Sequence, residues 1–392
     1  MIYADNAATT KISELALAKM LPFLQDQYGN ASSQYSLGVK AKRAVEQARQ
    51  QVAEAIGAQP SEINFTSGGS EANSWVLRGV ADLFKDKSLH IITTAIEHHS
   101  VLNACHTLES MGVEVTFLPV DSDGVVSVES LKSAIRPNTK LVSIVLANNE
   151  IGTIQPVNEI GAFLHSQEIW LHTDAVQAVG HIPVNVDELH VDFMSASAHK
   201  FNGAKGTGFL YVRSGFSLPN LIFGGEQEHG YRAGTENVAG IVAIGVALAE
   251  SVGEMEQNAE QLQALTRETV TRIRERIPIV RLNGNQQTRL PGTINLGFDG
   301  VSGEALMNLL DLKGICVSTS SACNSGKSEP SHVLLALGQN EQQAKSAIRI
   351  SYGKYNTIDE SSAVATAVCD AYDKITGSAS KSNGKRNRKQ EM

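Results

Sequence analysis

Absences narrow the reading first. The chain of 392 residues has only four cysteines, with no CxxC pair and no Cys/His spacing of a zinc site. A disulfide framework and a structural metal are thereby set aside, and any cysteine that matters should matter as a thiol. The start, MIYADNAATT, has no basic stretch leading into an apolar core, so no secretory signal is read there. The longest apolar run, VAGIVAIGVALAE at 238–250, is too short to span a bilayer and ends in an acid, which reads as a buried helix. No internal repeat is present. The expectation is a cytoplasmic protein with no membrane segment.

Composition has no extreme either: 42% apolar, 19% charged and 33 glycines describe an enzyme-sized globular chain with many tight turns. At this length it can form two domains, or one large α/β domain with a smaller appendage. The formal charge is −8. The last sixteen residues, GSASKSNGKRNRKQEM, hold five Lys or Arg against one Glu, a net of +4 that leaves −12 on residues 1–376. So acidic a body is not a nucleic-acid-binding surface, and the basic tail at 377–392 reads as a solvated, disordered end.

What is present is an alternation of helices and strands. Val45, Ala48, Val52 and Ile56 recur at spacings of three and four, one face of a helix over 37–57. INFT then reads as a strand, 70–85 as a helix, and β-rich apolar runs follow at 90–95, 113–120, 140–147, 169–175, 191–197 and 208–212. These seven strands with helices between most of them predict an α/β domain, its mostly parallel sheet covered on both faces. After residue 255 a long polar helix leads into short strands and helices, a smaller α+β C-terminal domain. The expected division is 14–255 for the large domain, 1–13 with 256–376 for the small one, and 377–392 for the tail.

In a parallel sheet ligands sit at the carboxyl ends of the strands, and five such ends carry chemistry here. Gly68, Gly69 and Ser70 lie where a strand turns into a helix, whose free N–H groups favour a phosphate; a plain Gly–Ser helix cap looks the same. His98 and His99, Asn148 and Asn149, Asp174 and Gln177, and Ser197, His199 and Lys200 stand at the other four. Each alone has an ordinary structural explanation. Together, on one sheet edge, they are the set that pyridoxal phosphate needs: a cradle for phosphate, a histidine to stack on the ring, a carboxylate for the pyridine nitrogen and a lysine amine for a Schiff base.

The motifs DNAATT, NFTSGGSEAN, EHHSV, NNEIGTIQP, HTDAVQAVG, SAHKFNGAKG, GGEQEHGYRAGT and SSACNSGKSEPSHVLLALG resemble the cysteine desulfurases of the NifS and IscS kind, in the class V aminotransferase group. The resemblance runs from about residue 2 to 372. It implies fold type I architecture, a homodimer, and release of sulfur from L-cysteine as L-alanine and an enzyme persulfide. It implies roles too: Lys200 as the Schiff-base lysine, Asp174 for the pyridine nitrogen, Gln177 and Asn149 near the ring hydroxyl, and His98 stacking and moving protons. Gly69, Ser70, Ser197 and His199 would hold the phosphate, with Thr235 of the partner subunit. Arg349 would bind the substrate carboxylate, with Asn149 also near the substrate.

Cys323 selects the reaction. It stands among small polar residues in VSTSSACNSGKSEP, which reads as an exposed mobile loop, whereas Cys105, Cys316 and Cys369 have the apolar or helical settings of packing residues. By the resemblance its thiolate takes the sulfur and hands it to an acceptor protein. That acceptor serves iron–sulfur assembly or the thiolation of tRNA or DNA. No resident metal is implied, Cys323 being at most a transient iron–sulfur ligand on a scaffold. The chain departs from the family pattern at Ser320, Ala204 and Tyr35 and in its basic tail. The alternatives are a selenocysteine lyase or another class V enzyme, neither of which requires Cys323, and a non-catalytic scaffold.

Overall fold

The structure, a computed structural model, describes residues 1–85, 87–319 and 329–377. Ser320, Cys323 and the tail beyond Gly377 lie outside the described residues. Two compact units emerge: Met1–Ala8 with Glu150–Gly152 and the chain from Gln257 onward, and Thr9–Asn149 with Thr153–Glu256. Residues 9–13, expected with the smaller domain, belong to the larger unit. Thr10 donates its N–H (2.8 Å) and hydroxyl (2.9 Å) to the His199 carbonyl, and the Ser13 N–H donates to Asn202 O at 2.9 Å.

The chain opens in the smaller unit with β1 (Ile2–Tyr3) and then supplies the larger unit with β2 (Ile63–Thr66), β3 (His90–Thr94), β4 (Glu114–Leu118), β5 (Thr139–Val145), β6 (Trp170–Asp174), β7 (Phe193–Ser197) and β8 (Gly208–Val212). β2 to β8 form one seven-stranded sheet in the order β2-β8-β7-β6-β5-β3-β4. The neighbours from β7 to β4 are parallel, while β8 is antiparallel to both β7 and β2. Two reversals restore the direction, so β2 ends on the same sheet edge as β3, β5, β6 and β7.

The described helices of the larger unit include α1 (Glu14–Met20), α2 (Pro22–Gln25), α3 (Ser36–Ile56), α4 (Gly69–Leu83), α5 (His99–Ser110), α6 (Val128–Ala134), α7 (Val157–Ser166) and α8 (Val238–Gly253). The 3.6-residue apolar rhythm of α3 buries Val45, Ala48, Val52 and Ile56, and Gly57, in the left-handed region at φ 72°, stops it. α8 is the apolar run of 238–250, capped by Asn237 and buried over most of its length. Among the described residues no single helix is long and apolar enough to cross a membrane. Phe193 lies fully buried, which contributes about 1.5–3 kcal/mol, with the partly buried Trp170 and Phe216 in edge-to-face contact with it.

In the smaller unit β9 (Arg281–Asn283), β10 (Thr293–Gly297), β12 (Ser318–Thr319) and β13 (Ala347–Ser351) form an antiparallel sheet, and β11 (Ile315–Cys316) pairs with β1. Leu265, Ile273, Ile294, Ile348 and Val368 meet in its core. The last described helix, Ile358–Thr376, starts at a capping box between Thr357 and Glu360.

Candidate active site

The turn from β2 into α4 needs its glycines. Gly68 adopts φ 151°, and a Cβ on it would stand 3.4 Å from Ser197 Oγ; a Cβ on Gly69 would meet Val176 Cγ2 at 2.4 Å. Gly208 lets β8 pass close by, since a Cβ there would lie 2.6 Å from Gly68 Cα. Among the described residues no side chain caps α4. Its first amides lie beside Gly68 and the buried Ser197, at the positive end of the helix dipole. Ser70 is exposed at this turn.

Asp174 ends β6, almost fully buried. Its Oδ1 accepts the Val176 N–H at 3.0 Å and its Oδ2 accepts Asn73 Nδ2 at 2.7 Å, which leaves lone pairs for one more donor. Gln177, three residues on, is buried beside it. His98 caps α5, its Nδ1 accepting the Ser100 N–H at 3.1 Å and lying 2.8 Å from Ser100 Oγ. Burial holds the imidazole below its usual pKa, with Lys200 and His99 acting the same way and Asp174 opposing. His98, Asp174 and Lys200 thus share one electrostatic environment.

Lys200 closes the turn that follows β7, half-buried, and its carbonyl is 2.9 Å from His181 Nε2. His199 Nδ1 lies 3.1 Å from Thr9 Oγ1, and burial with the charges of Lys200 and Lys205 pulls its pKa down to about 4. Asn148 is buried, its Nδ2 donating to Ile96 O at 2.8 Å, and Asn149 beside it is half-buried. Glu97 is fully buried. Thr94 Oγ1 (2.7 Å) and the Val145 N–H (2.9 Å) donate to it, yet desolvation, helped by Asp174, pushes its carboxyl up to about 8.

Other expected residues lie elsewhere in the chain. Thr235 is exposed in the stretch before α8. That stretch is anchored by Arg232 to Glu71 at 2.9 Å and by Glu228, which pairs with buried Arg49 at 2.7 Å. Arg349 belongs to the smaller unit, on β13, where its Nη2 donates to Asp5 Oδ1 at 2.7 Å and Ser318 Oγ donates to Asp5 Oδ2 at 2.7 Å. In the same unit Ser331 Oγ donates to buried Glu150 at 2.5 Å, whose carboxyl burial pushes up to about 7. Cys323 lies outside the described residues. Cys105 and Cys369 are buried, and burial pushes the Cys105 thiol up to about 12.

Sequence reasoning missed Asn73, Ser100, Glu97, Asp5 and Glu150. Asn73 carried one usable signal, standing one helical turn after Gly69 and hence on the same helix face.

The class V aminotransferase model matches residues 2–364. The chain belongs to that family, and its fold is the α/β architecture of fold type I. A protein named cysteine desulfurase IscS from Dictyoglomus turgidum is 48% identical over 359 residues, 92% of this chain and 91% of that one. A solved NifS-like protein superposes with a TM-score of 0.89 at 39% identity, covering 94% of this chain and 98% of its own. A structure titled SspA in complex with cysteine gives 0.80 at 36% identity, covering 91% and 100%.

Proposed function

We propose that this chain is a pyridoxal-phosphate-dependent cysteine desulfurase, acting as a cytoplasmic homodimer. The reading is carried by the gathering of Asp174, His98 and Lys200 at one sheet edge beside the uncapped, glycine-lined start of α4. It is supported by the names and near full-length similarity of the relatives. The residues fit the cofactor. The space a Cβ on Gly68 would fill faces Ser197, which suits a phosphate held by Gly69, Ser70, Ser197 and His199, with the partner subunit's Thr235 completing the set. Asp174 has acceptor capacity left for a ring N–H, and Gln177 and Asn149 would take the ring hydroxyl.

When bound, the protonated pyridine ring withdraws electrons from the substrate's α-carbon. The chain's own work is then to bind and to move protons and sulfur. Lys200 supplies the amine that fixes the cofactor. Burial among His98, Asp174 and the end of β6 excludes water and keeps charges strong. His98, neutral at working pH, accepts and returns a proton. Arg349, oriented by Asp5, would hold the substrate carboxylate in a bidentate fork. The Cys323 thiolate would attack the substrate sulfur as the bond from that sulfur to Cβ breaks. L-cysteine and the thiol thus become L-alanine and a cysteine persulfide, with no outside oxidant or reductant.

On this reading the larger unit is the cofactor domain and the smaller unit carries the cysteine loop. The persulfide sulfur goes to an acceptor protein for iron–sulfur assembly or for thiolation of tRNA or DNA. Incubating the purified protein with L-cysteine and assaying alanine and sulfide tests the reading. Equimolar alanine is expected; turnover of selenocysteine alone would replace it with a selenocysteine lyase.

A further inference from the structure

Asn73 sits in the first turns of α4, 1% exposed, with its amide between two separate elements. Its Nδ2 donates to Asp174 Oδ2 at 2.7 Å and to Ser100 Oγ at 2.8 Å. A primary amide nitrogen has two hydrogens, so both are used. Reversing the amide would set Oδ1 against a carboxylate oxygen, which fixes its orientation. Ser100 Oγ, having accepted from Asn73, turns its own hydrogen to His98 Nδ1 at 2.8 Å. The Ser100 N–H points at the same nitrogen from 3.1 Å. A backbone N–H can only donate. Nδ1 is therefore the acceptor, and the proton of the neutral ring is at Nε2.

We infer that Asn73 and Ser100 are positioning residues that tie His98 to Asp174 and fix the exchangeable proton of His98 at Nε2. Neither residue touches reacting atoms; they act through the two that do. Protonating Nδ1 would set an N–H against an N–H and turn the Ser100 hydroxyl away, breaking a chain whose members polarise one another. Among the described residues, the charged or titratable groups acting on His98 are Asp174 from the end of β6, Lys200 from the turn after β7 and its neighbour His99. With Asn73 removed, the hydroxyl loses the donor that polarises its own bond to Nδ1 and Asp174 loses one neutralising donor, so His98 becomes the stronger base. The importance of this chain for turnover rests on the function proposed above, but the tautomer itself does not.

The test is a pH titration of the histidine ring nitrogens by ¹⁵N NMR on the full-length protein, with and without added pyridoxal phosphate, the His98 signals being assigned by loss in His98→Gln. The expected result is an unprotonated Nδ1 and a protonated Nε2 in the wild type, with Asn73→Ala and Ser100→Ala each raising the titration midpoint of His98 by roughly one unit. Ser100→Thr, which keeps the hydroxyl, should titrate as the wild type does. The acid limb of the kcat/KM profile should move with the midpoint while KM for cysteine changes little. Should Asn73→Ala fail to fold, Ser100→Ala decides alone, since Ser100 is only half-buried. A proton on Nδ1 in the wild type overturns the inference, as does a wild-type midpoint in both alanine variants. A chain that takes up no pyridoxal phosphate yet titrates as expected would overturn the proposed function and leave this inference standing.

Discussion

On the proposed function, cofactor attachment turns on Lys200. It follows Ser197 and His199 at the end of β7, and its carbonyl accepts from His181, which fixes the backbone there. Lys200→Ala should leave a folded protein that retains no cofactor through borohydride treatment and denaturation; a variant that still carries reducibly fixed cofactor would assign attachment to another lysine. The histidines around it have opposite pH consequences to the buried acids. His199, held to about 4 against 6.5 unfolded, contributes stability that is lost as pH falls from 6.5 toward 4. Glu97 behaves the other way. Its carboxyl stays protonated to about 8 in the fold but ionises near 4.5 when unfolded, so stability is lost as pH rises through that interval. Glu97→Gln should match the wild type near pH 4.5 and exceed it at pH 8 by a few kcal/mol, on the order of the shift. Urea denaturation at the two pH values measures this, and equal stabilities at pH 8 would contradict it.

At the scale of elements, the turn at Gln227–Gly230 is pinned through one buried ion pair. Glu228 and His229 both sit in the left-handed region, at φ 46° and 59°, a conformation that needs outside support. Arg49 of α3 supplies it, bidentate to Glu228 at 2.7 and 2.9 Å, with the Phe65 N–H donating to the same carboxylate. Arg49→Ala strands that carboxylate and should cost about 3–5 kcal/mol by denaturant unfolding; a loss under about 1 kcal/mol would mean the pair contributes little. Nothing in the order of residues announces this contact, because 179 positions separate its partners. The strands were legible for the opposite reason. Strands buried on both faces read as continuous β-branched runs, so β3, β5 and β6 stand within a few residues of their expected limits. The antiparallel orientation of β8 was not legible, since an apolar run carries no direction. Asn73 and Ser100 escaped as well: they meet from the first turns of two helices, 27 residues apart.

For the whole molecule, the sequence pointed to a catalytic edge because five strand ends carried polar or charged residues where strands should be apolar. The structure gathers His98, Asp174 and Lys200 at that edge of the larger unit, and it places Arg349 on β13 of the smaller unit with Asp5, a partner 344 positions away that no local pattern suggests. Residues 9–13 changed sides for a similar reason, since their hydrogen bonds to His199 and Asn202 are invisible in a linear reading. The central claim is that this machinery ends in sulfur on Cys323, and mass spectrometry of the intact protein after a short exposure to L-cysteine, with alanine counted in the same sample, tests it most directly. The wild type should gain one sulfur atom on the peptide containing Cys323 for each alanine released in the first turnover. Cys323→Ala should gain none and make little alanine, while Cys105→Ala and Cys369→Ala should behave as the wild type. Undiminished alanine from Cys323→Ala, or sulfur found on another cysteine, would contradict the account.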